Sequence, residues 1–129
     1  MKKFFSILAV LALALYSQAV EKFEGRAMWA HPGDFGKSEK EVEEFFRLLK
    51  KCDINLVVPL VKSTDGTIFW HSKKFPQAVN PDYKDFDLLK ALTKYARLYN
   101  IKLHAWLCDF PEGKNSPAFK LHPEWAMLN

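Results

Sequence analysis

Three carboxylates, two histidines, two tryptophans and a lysine fall where short apolar runs of this 129-residue chain begin or end. Asp109 comes just past the third such run, Asp65 lies in a long loop after the second, and Asp34 follows the first. A carboxylate at the end of a strand can trade a proton with a bound ligand. Asp109 is the best placed of the three, and capping the loop that it opens is its other role. Asp65 precedes Gly66, a pair that reads first as a turn. Trp29 and His31 share the first run, and His104 and Trp106 share the third. Rings gathered on one side can stack on a sugar ring or hydrogen-bond its hydroxyls, though a packed, satisfied histidine is the other reading of His104. Lys62, closing the second run, can neutralise a carboxylate, hold a ligand or stand solvated in the loop.

Those residues need a scaffold, and the alternation of apolar positions supplies one. In Lys102–Asp109, His104, Trp106 and Cys108 fall on one face of a predicted strand, and Leu103, Ala105 and Leu107 fall on the face expected beneath helices. Arg26–His31 reads as a first strand stopped by Pro32-Gly33. Ser38 opens a helix to about Cys52, with Glu41 placed for a capping box and Val42, Phe45, Phe46, Leu48 and Leu49 at helical spacing. Leu56–Val61 is nearly continuous apolar sequence, as in a strand buried on both faces, with Pro59 predicting a local irregularity. The loop from about Lys62 to Lys84 is longer than a connection requires, which suggests function. Asp85 is placed to cap a helix from Phe86 to about Tyr99. Strand and helix alternate, which implies a parallel sheet with right-handed crossovers.

Residues 1–19 have the form of a secretory signal peptide. Lys2 and Lys3 precede an apolar run from Phe4 to Leu15, and Ser17 and Ala19 stand at −3 and −1 of a cleavage site. The run is shorter than the roughly 20 residues that a membrane span requires. The expectation is an exported bacterial protein, periplasmic or extracellular, with no membrane span once the leader is removed. Without Lys2 and Lys3 the net charge falls from +4 to +2, so nothing calls for a nucleic acid partner. No metal-ligand spacing, phosphate loop or nucleophile elbow is present, and no metal or cofactor is expected. Cys52 and Cys108 are predicted to remain free. The parallel topology places them at opposite ends of strands about 20 Å long, beyond the roughly 7 Å Cα separation that a disulfide spans.

Five segments then carry a resemblance. Arg26-Ala27-Met28-Trp29, the run from Asn55 to Gly66, Trp70-His71-Ser72-Lys73, His104-Ala105-Trp106-Leu107 and His122-Pro123-Glu124-Trp125 occur in an order and spacing that resembles the glycosyl-hydrolase-like family 10 (DUF187-type) domain, over nearly all of residues 24–129. The resemblance implies a TIM (β/α)8 barrel, export, and hydrolysis of glycosidic bonds in a polysaccharide, with peptidoglycan glycan strands as substrate for some members. A closed barrel takes about 250 residues, so the three βα units present lead us to expect a partial barrel, its N-terminal portion, over residues 24–129. Many members have arginine where this chain has Lys62, and catalytic carboxylates in such barrels commonly lie at later strand ends. Asp109 is the candidate catalytic residue here. Trp29, His31, Lys62, Asp65, His104 and Trp106 are candidates for substrate contact. The alternatives are a glycan-binding protein without catalysis and an inactive fragment.

Overall fold

The computed structural model describes residues 25–126, so residues 1–19, expected to form a signal peptide, lie outside the described residues. Its elements are β1 (Ala27–Ala30), the single-turn α1 (Pro32–Phe35), α2 (Glu39–Lys51), β2 (Leu56–Lys62), α3 (Leu88–Leu98), β3 (Lys102–Leu103), β4 (Trp106–Leu107) and the short α4 (Pro117–Leu121). Three 3-10 turns punctuate the loops at Pro76–Ala78, Pro81–Tyr83 and Pro123–Trp125. The fold is mixed α/β. Every ladder between the strands is parallel: β2 is central, β1 pairs one edge of it, and β3 and β4 share the other.

The local chemistry explains both long helices. Ser38 Oγ accepts from the Glu41 N–H at 3.3 Å and donates to Glu41 Oε2 at 2.6 Å, and the same carboxylate accepts from the Lys37 N–H at 3.0 Å. That closes the first turn of α2 with a variant of the expected capping box, the Glu41 carboxylate reaching the Lys37 N–H and the Ser38 hydroxyl in place of the Ser38 N–H. α3 is capped by Asp87, which accepts from the Lys90 N–H at 3.0 Å, and not by Asp85 as the sequence suggested. The helix therefore starts two residues later than expected, with Phe86 packed against the core ahead of it. The two helices end alike. Asp53 and Asn100 adopt left-handed backbone at φ 60° and 53°, and the following Ile54 and Ile101 N–H groups donate to Leu49 and Ala96, both at 2.9 Å. This is a Schellman ending built with Asp and Asn in place of glycine.

The core lies between the helices and one face of the sheet. Phe35, Phe46, Val42, Leu88 and Leu92 are fully buried there with Val57 of β2. α2 and α3 are also joined at their rims: Lys94 pairs with Glu39 at 2.6 Å, and the Tyr99 hydroxyl donates to Glu43 at 3.3 Å. The long loop after β2 is itself structured. Ile68, Phe69, Ala78 and Tyr83 are buried, and the Tyr83 hydroxyl donates to the Pro32 carbonyl at 2.9 Å, tying the loop to α1.

The third strand differs from expectation in two respects. It is broken at His104-Ala105, and Pro59 accounts for the break. The Asn55 and Val57 carbonyls accept from the Lys102 and His104 N–H groups at 2.9 and 3.0 Å. Pro59 faces the same neighbour by strand alternation but has no N–H to offer, so a rung is lost and the strand resumes at Trp106 opposite Leu60. Second, only Leu103 of the aliphatic face packs against the core. Ala105 is exposed and Leu107 is 42% exposed, because among the described residues no helix lies over that end of the strand. Cys52 and Cys108 are free thiols, as predicted. Among the described residues no helix is long and apolar enough to cross a membrane.

Candidate functional site

The side chains of interest gather at the carboxyl ends of the parallel strands, the end at which α/β sheets bind ligands. Register places Trp29 beside Val58 and Trp106 beside Leu60. Alternation along β2 then puts Val58, Leu60 and Lys62 on one face, opposite the helix-covered face that holds Val57 and Pro59. Trp29 stands 66% exposed on this open face. The ring of His31, just beyond β1, meets the edge of Trp106 with centroids 5.6 Å apart at 67°. His31 is fixed by its own backbone: its N–H donates to Asp34 Oδ2 at 2.7 Å, in the first turn of α1. Asp34 thus serves as the carboxylate of that turn. His104 is exposed on the strand, and its backbone holds the last rung before the break.

Lys62 is the hub. Its ammonium donates to the Cys108 carbonyl at 2.7 Å and pairs with Glu112 Oε1 at 2.5 Å, with only 18% and 23% of the two side chains exposed. Largely removed from bulk water, the two charges attract each other more strongly than on the surface but cost more to desolvate, and loss of either partner leaves the other charge uncompensated. The second oxygen, Glu112 Oε2, is buried without a hydrogen-bond partner. It lies against the Cα of Gly66. A Cβ at that position would overlap Glu112 Oε2 and Ser116 Cβ, and the backbone there is left-handed at φ 81°. Glycine is required twice over at residue 66, for conformation and for space. Residues 108–113 are thereby clamped onto the turn that follows β2.

Asp65 belongs to that turn. Its Oδ1 accepts from both the backbone N–H of Thr67 at 2.9 Å and the Thr67 hydroxyl at 2.8 Å. The Thr67 N–H is the largest cause of an Asp65 carboxyl held below the usual carboxylate range; burial opposes it, and the Thr67 and Ser63 hydroxyls add to the lowering. Its contacts are those of a turn-forming aspartate. Asp109 is exposed past β4, and its carboxylate makes no hydrogen bond or ion pair among the described residues. The structure therefore brings Lys62, His31 and Trp106 to one strand end, leaves Trp29 and His104 open on the sheet, and places Asp65 in its own turn.

Glu112 escaped the sequence reading. It sits in a loop rich in Pro, Gly and Asn with no periodicity to mark it, and only the path of that loop over Gly66 carries it to Lys62. The preceding glycine was the available signal, since Asp65-Gly66 marked a turn whose Cα another group could approach closely.

Beyond Glu112 the chain forms a cavity of about 340 Å3, lined by Phe110, Glu112, Phe119, His122 and Trp125. The His122 and Trp125 rings stack face to face with centroids 3.8 Å apart at 8°, and His122 Nδ1 lies 3.0 Å from Glu124 Oε1. A second, more open hollow of about 650 Å3 lies between the long loop and α4, with Asp65, Gln77 and Lys120 on its walls. His71, prominent in the sequence, is structural: its Nε2 lies 3.1 Å from the Tyr83 carbonyl, and its N–H donates to Asp87 at 3.2 Å. Compared with protein-family models the chain matches none, and comparison with curated proteins gives no match.

Proposed function

We propose that this chain belongs to an exported glycoside-hydrolase-like protein, and that its parallel sheet is part of a (β/α)8 barrel. In this reading the strand-end cluster binds a polysaccharide and acts on its glycosidic bonds, with peptidoglycan glycan strands as the substrate class. The observation that carries the reading is the buried-edge pair Lys62–Glu112 beside the His31–Trp106 ring contact, at the carboxyl ends of parallel strands. A sugar offers apolar ring faces and a rim of hydroxyls, and the cluster offers the complement of each. Trp106 and Trp29 supply flat apolar surface, and His31 and His104 supply ring nitrogens. The open sheet face that bears Trp29 is what a barrel interior becomes when more strands close around it. The five family-like segments and the leader-like residues 1–19 support the same reading.

Cleavage of a glycosidic bond takes two carboxyl groups, about 5–5.5 Å apart in retaining enzymes and 6.5–9.5 Å in inverting ones. Glu112 and Asp109 belong to one loop, and in this reading they are the candidate pair for those roles. Glu112 is held by Lys62, and Asp109 stands at the open rim. Binding without cleavage is the second reading, favoured by one specific observation: Glu112 Oε1 is already engaged by Lys62 and so is not free to meet a glycosidic oxygen.

The test is to incubate the full chain with insoluble peptidoglycan sacculi, then measure both the protein retained on the pellet and the reducing ends released. Release that is lost in Glu112→Gln supports hydrolysis. Retention without release, weakened at least tenfold in Trp106→Ala, supports glycan binding alone. If the chain is not retained and releases no reducing ends, the carbohydrate reading falls.

A further inference from the structure

Glu112 belongs to two places at once. Through Oε1 it completes the Lys62 pair at the strand end, and its side chain also forms part of the wall of the 340 Å3 cavity, described above, that runs out toward Trp125. That volume lies within the range of about 300–1,000 Å3 usual for small-molecule sites. The wall is aromatic and carries few polar groups. Phe110 and Trp125 are 94% and 69% exposed, and neither belongs to the hydrophobic core. Trp125 is not loose, however. His122 covers one indole face and is itself held by Glu124, which leaves the opposite face available in a fixed orientation. A flat ring held this way loses little conformational freedom when a ligand stacks on it.

We infer that this cavity is a second sugar subsite, with one pyranose ring stacked on Trp125, so that the ligand is an oligosaccharide of at least two rings and not a monosaccharide. The inference rests on the carbohydrate reading above. It goes further in proposing the path of the glycan, from Trp106 across Glu112 to Trp125. Charge agrees with a neutral glycan here: Glu112 is already paired, and among the described residues no unpaired cation lines the cavity to attract an anion.

The test compares binding of N-acetylglucosamine and of its β-1,4-linked tetramer to the full chain by titration calorimetry, in the native protein, Trp125→Ala and Trp106→Ala. The native chain should bind the tetramer more tightly than the monomer. Trp125→Ala should weaken the tetramer by about five- to tenfold, the scale of one aromatic stacking contact, and leave the monomer unchanged. Trp106→Ala should weaken both. Because Trp125 has no place in the core, circular dichroism of Trp125→Ala should match the native spectrum, and Trp125→Phe should restore part of the tetramer affinity. If Trp125→Ala binds the tetramer like the native chain while Trp106→Ala does not, the second subsite is wrong and the strand-end site stands. If the native chain binds neither sugar, both readings fall together.

Discussion

Two regions of this chain use their apolar residues in opposite ways. Residues 27–103 turn theirs inward: Phe35, Phe46, Leu88 and Leu92 are fully buried between the helices and the sheet. Residues 104–126 turn theirs outward, with Phe110, Leu121 and Trp125 at 94%, 60% and 69% exposure and Ser116 as the one buried residue there. Composition does not separate the regions, since both are rich in aromatic side chains. What differs is whether a helix is available to lie over them. The first region is stabilised by burial, and among the described residues the second leaves its rings exposed. This is the usual division between a rigid scaffold and the loops that it positions.

The sharpest way to break the comparison is to remove a large side chain from each region. Leu92→Ala should cost about 2–5 kcal/mol and lower the melting temperature strongly, because it leaves a cavity in a packed core. Trp125→Ala should stay within about 0.5 kcal/mol of the native protein, as exposed substitutions do. Comparable losses in thermal melts would show that residues 104–126 form part of one cooperative core.

Gly66→Ala examines the seam between the regions. It forces a side chain into left-handed backbone and into the space held by Glu112 and Ser116. We expect a cost of about 1–3 kcal/mol. Glu112 should also be displaced from Lys62, which would be read as a new environment for the Lys62 side chain in nuclear magnetic resonance spectra.

The smallest effect belongs to Asp65. Its carboxyl is held below the usual range, chiefly by the Thr67 N–H, so the folded state favours the ionised form. A depressed carboxyl contributes stability that is fully present above its unfolded pKa of about 4 and is lost as pH falls through the lower folded value. Asp65→Asn should therefore be less stable than the native chain at pH 7, and the gap should narrow toward pH 3. A gap that widens on acidification would mean that Asp65 is not the acceptor in its own turn.

Much of the scaffold can be read from residue order, because its causes are local. Ser38 with Glu41, the apolar stripes of α2 and α3, and the irregularity at Pro59 each act within a few residues of themselves. The displaced cap shows where local reasoning thins out. Asp85 and Asp87 are equivalent as residue types, and the packing of Phe86 against the core chose between them. At the candidate site, Lys62, His31 and Trp106 were recoverable because strand ends converge by topology. Glu112 was not, because it reaches Lys62 across 50 residues of chain through a loop whose course no periodicity encodes.

The missing rung at Pro59 has a dynamic consequence. β1 and β2 are joined by an unbroken ladder and backed by two helices, whereas the last strand holds on through two short stretches. Segments with few backbone rungs and little burial open at lower free energy than the whole protein unfolds. His104 and Trp106 are therefore hung on a flap that can breathe while the helices stay shut. Amide protons around residues 104–108 should exchange well before those of β1 and β2, so this edge opens without the whole chain first coming apart.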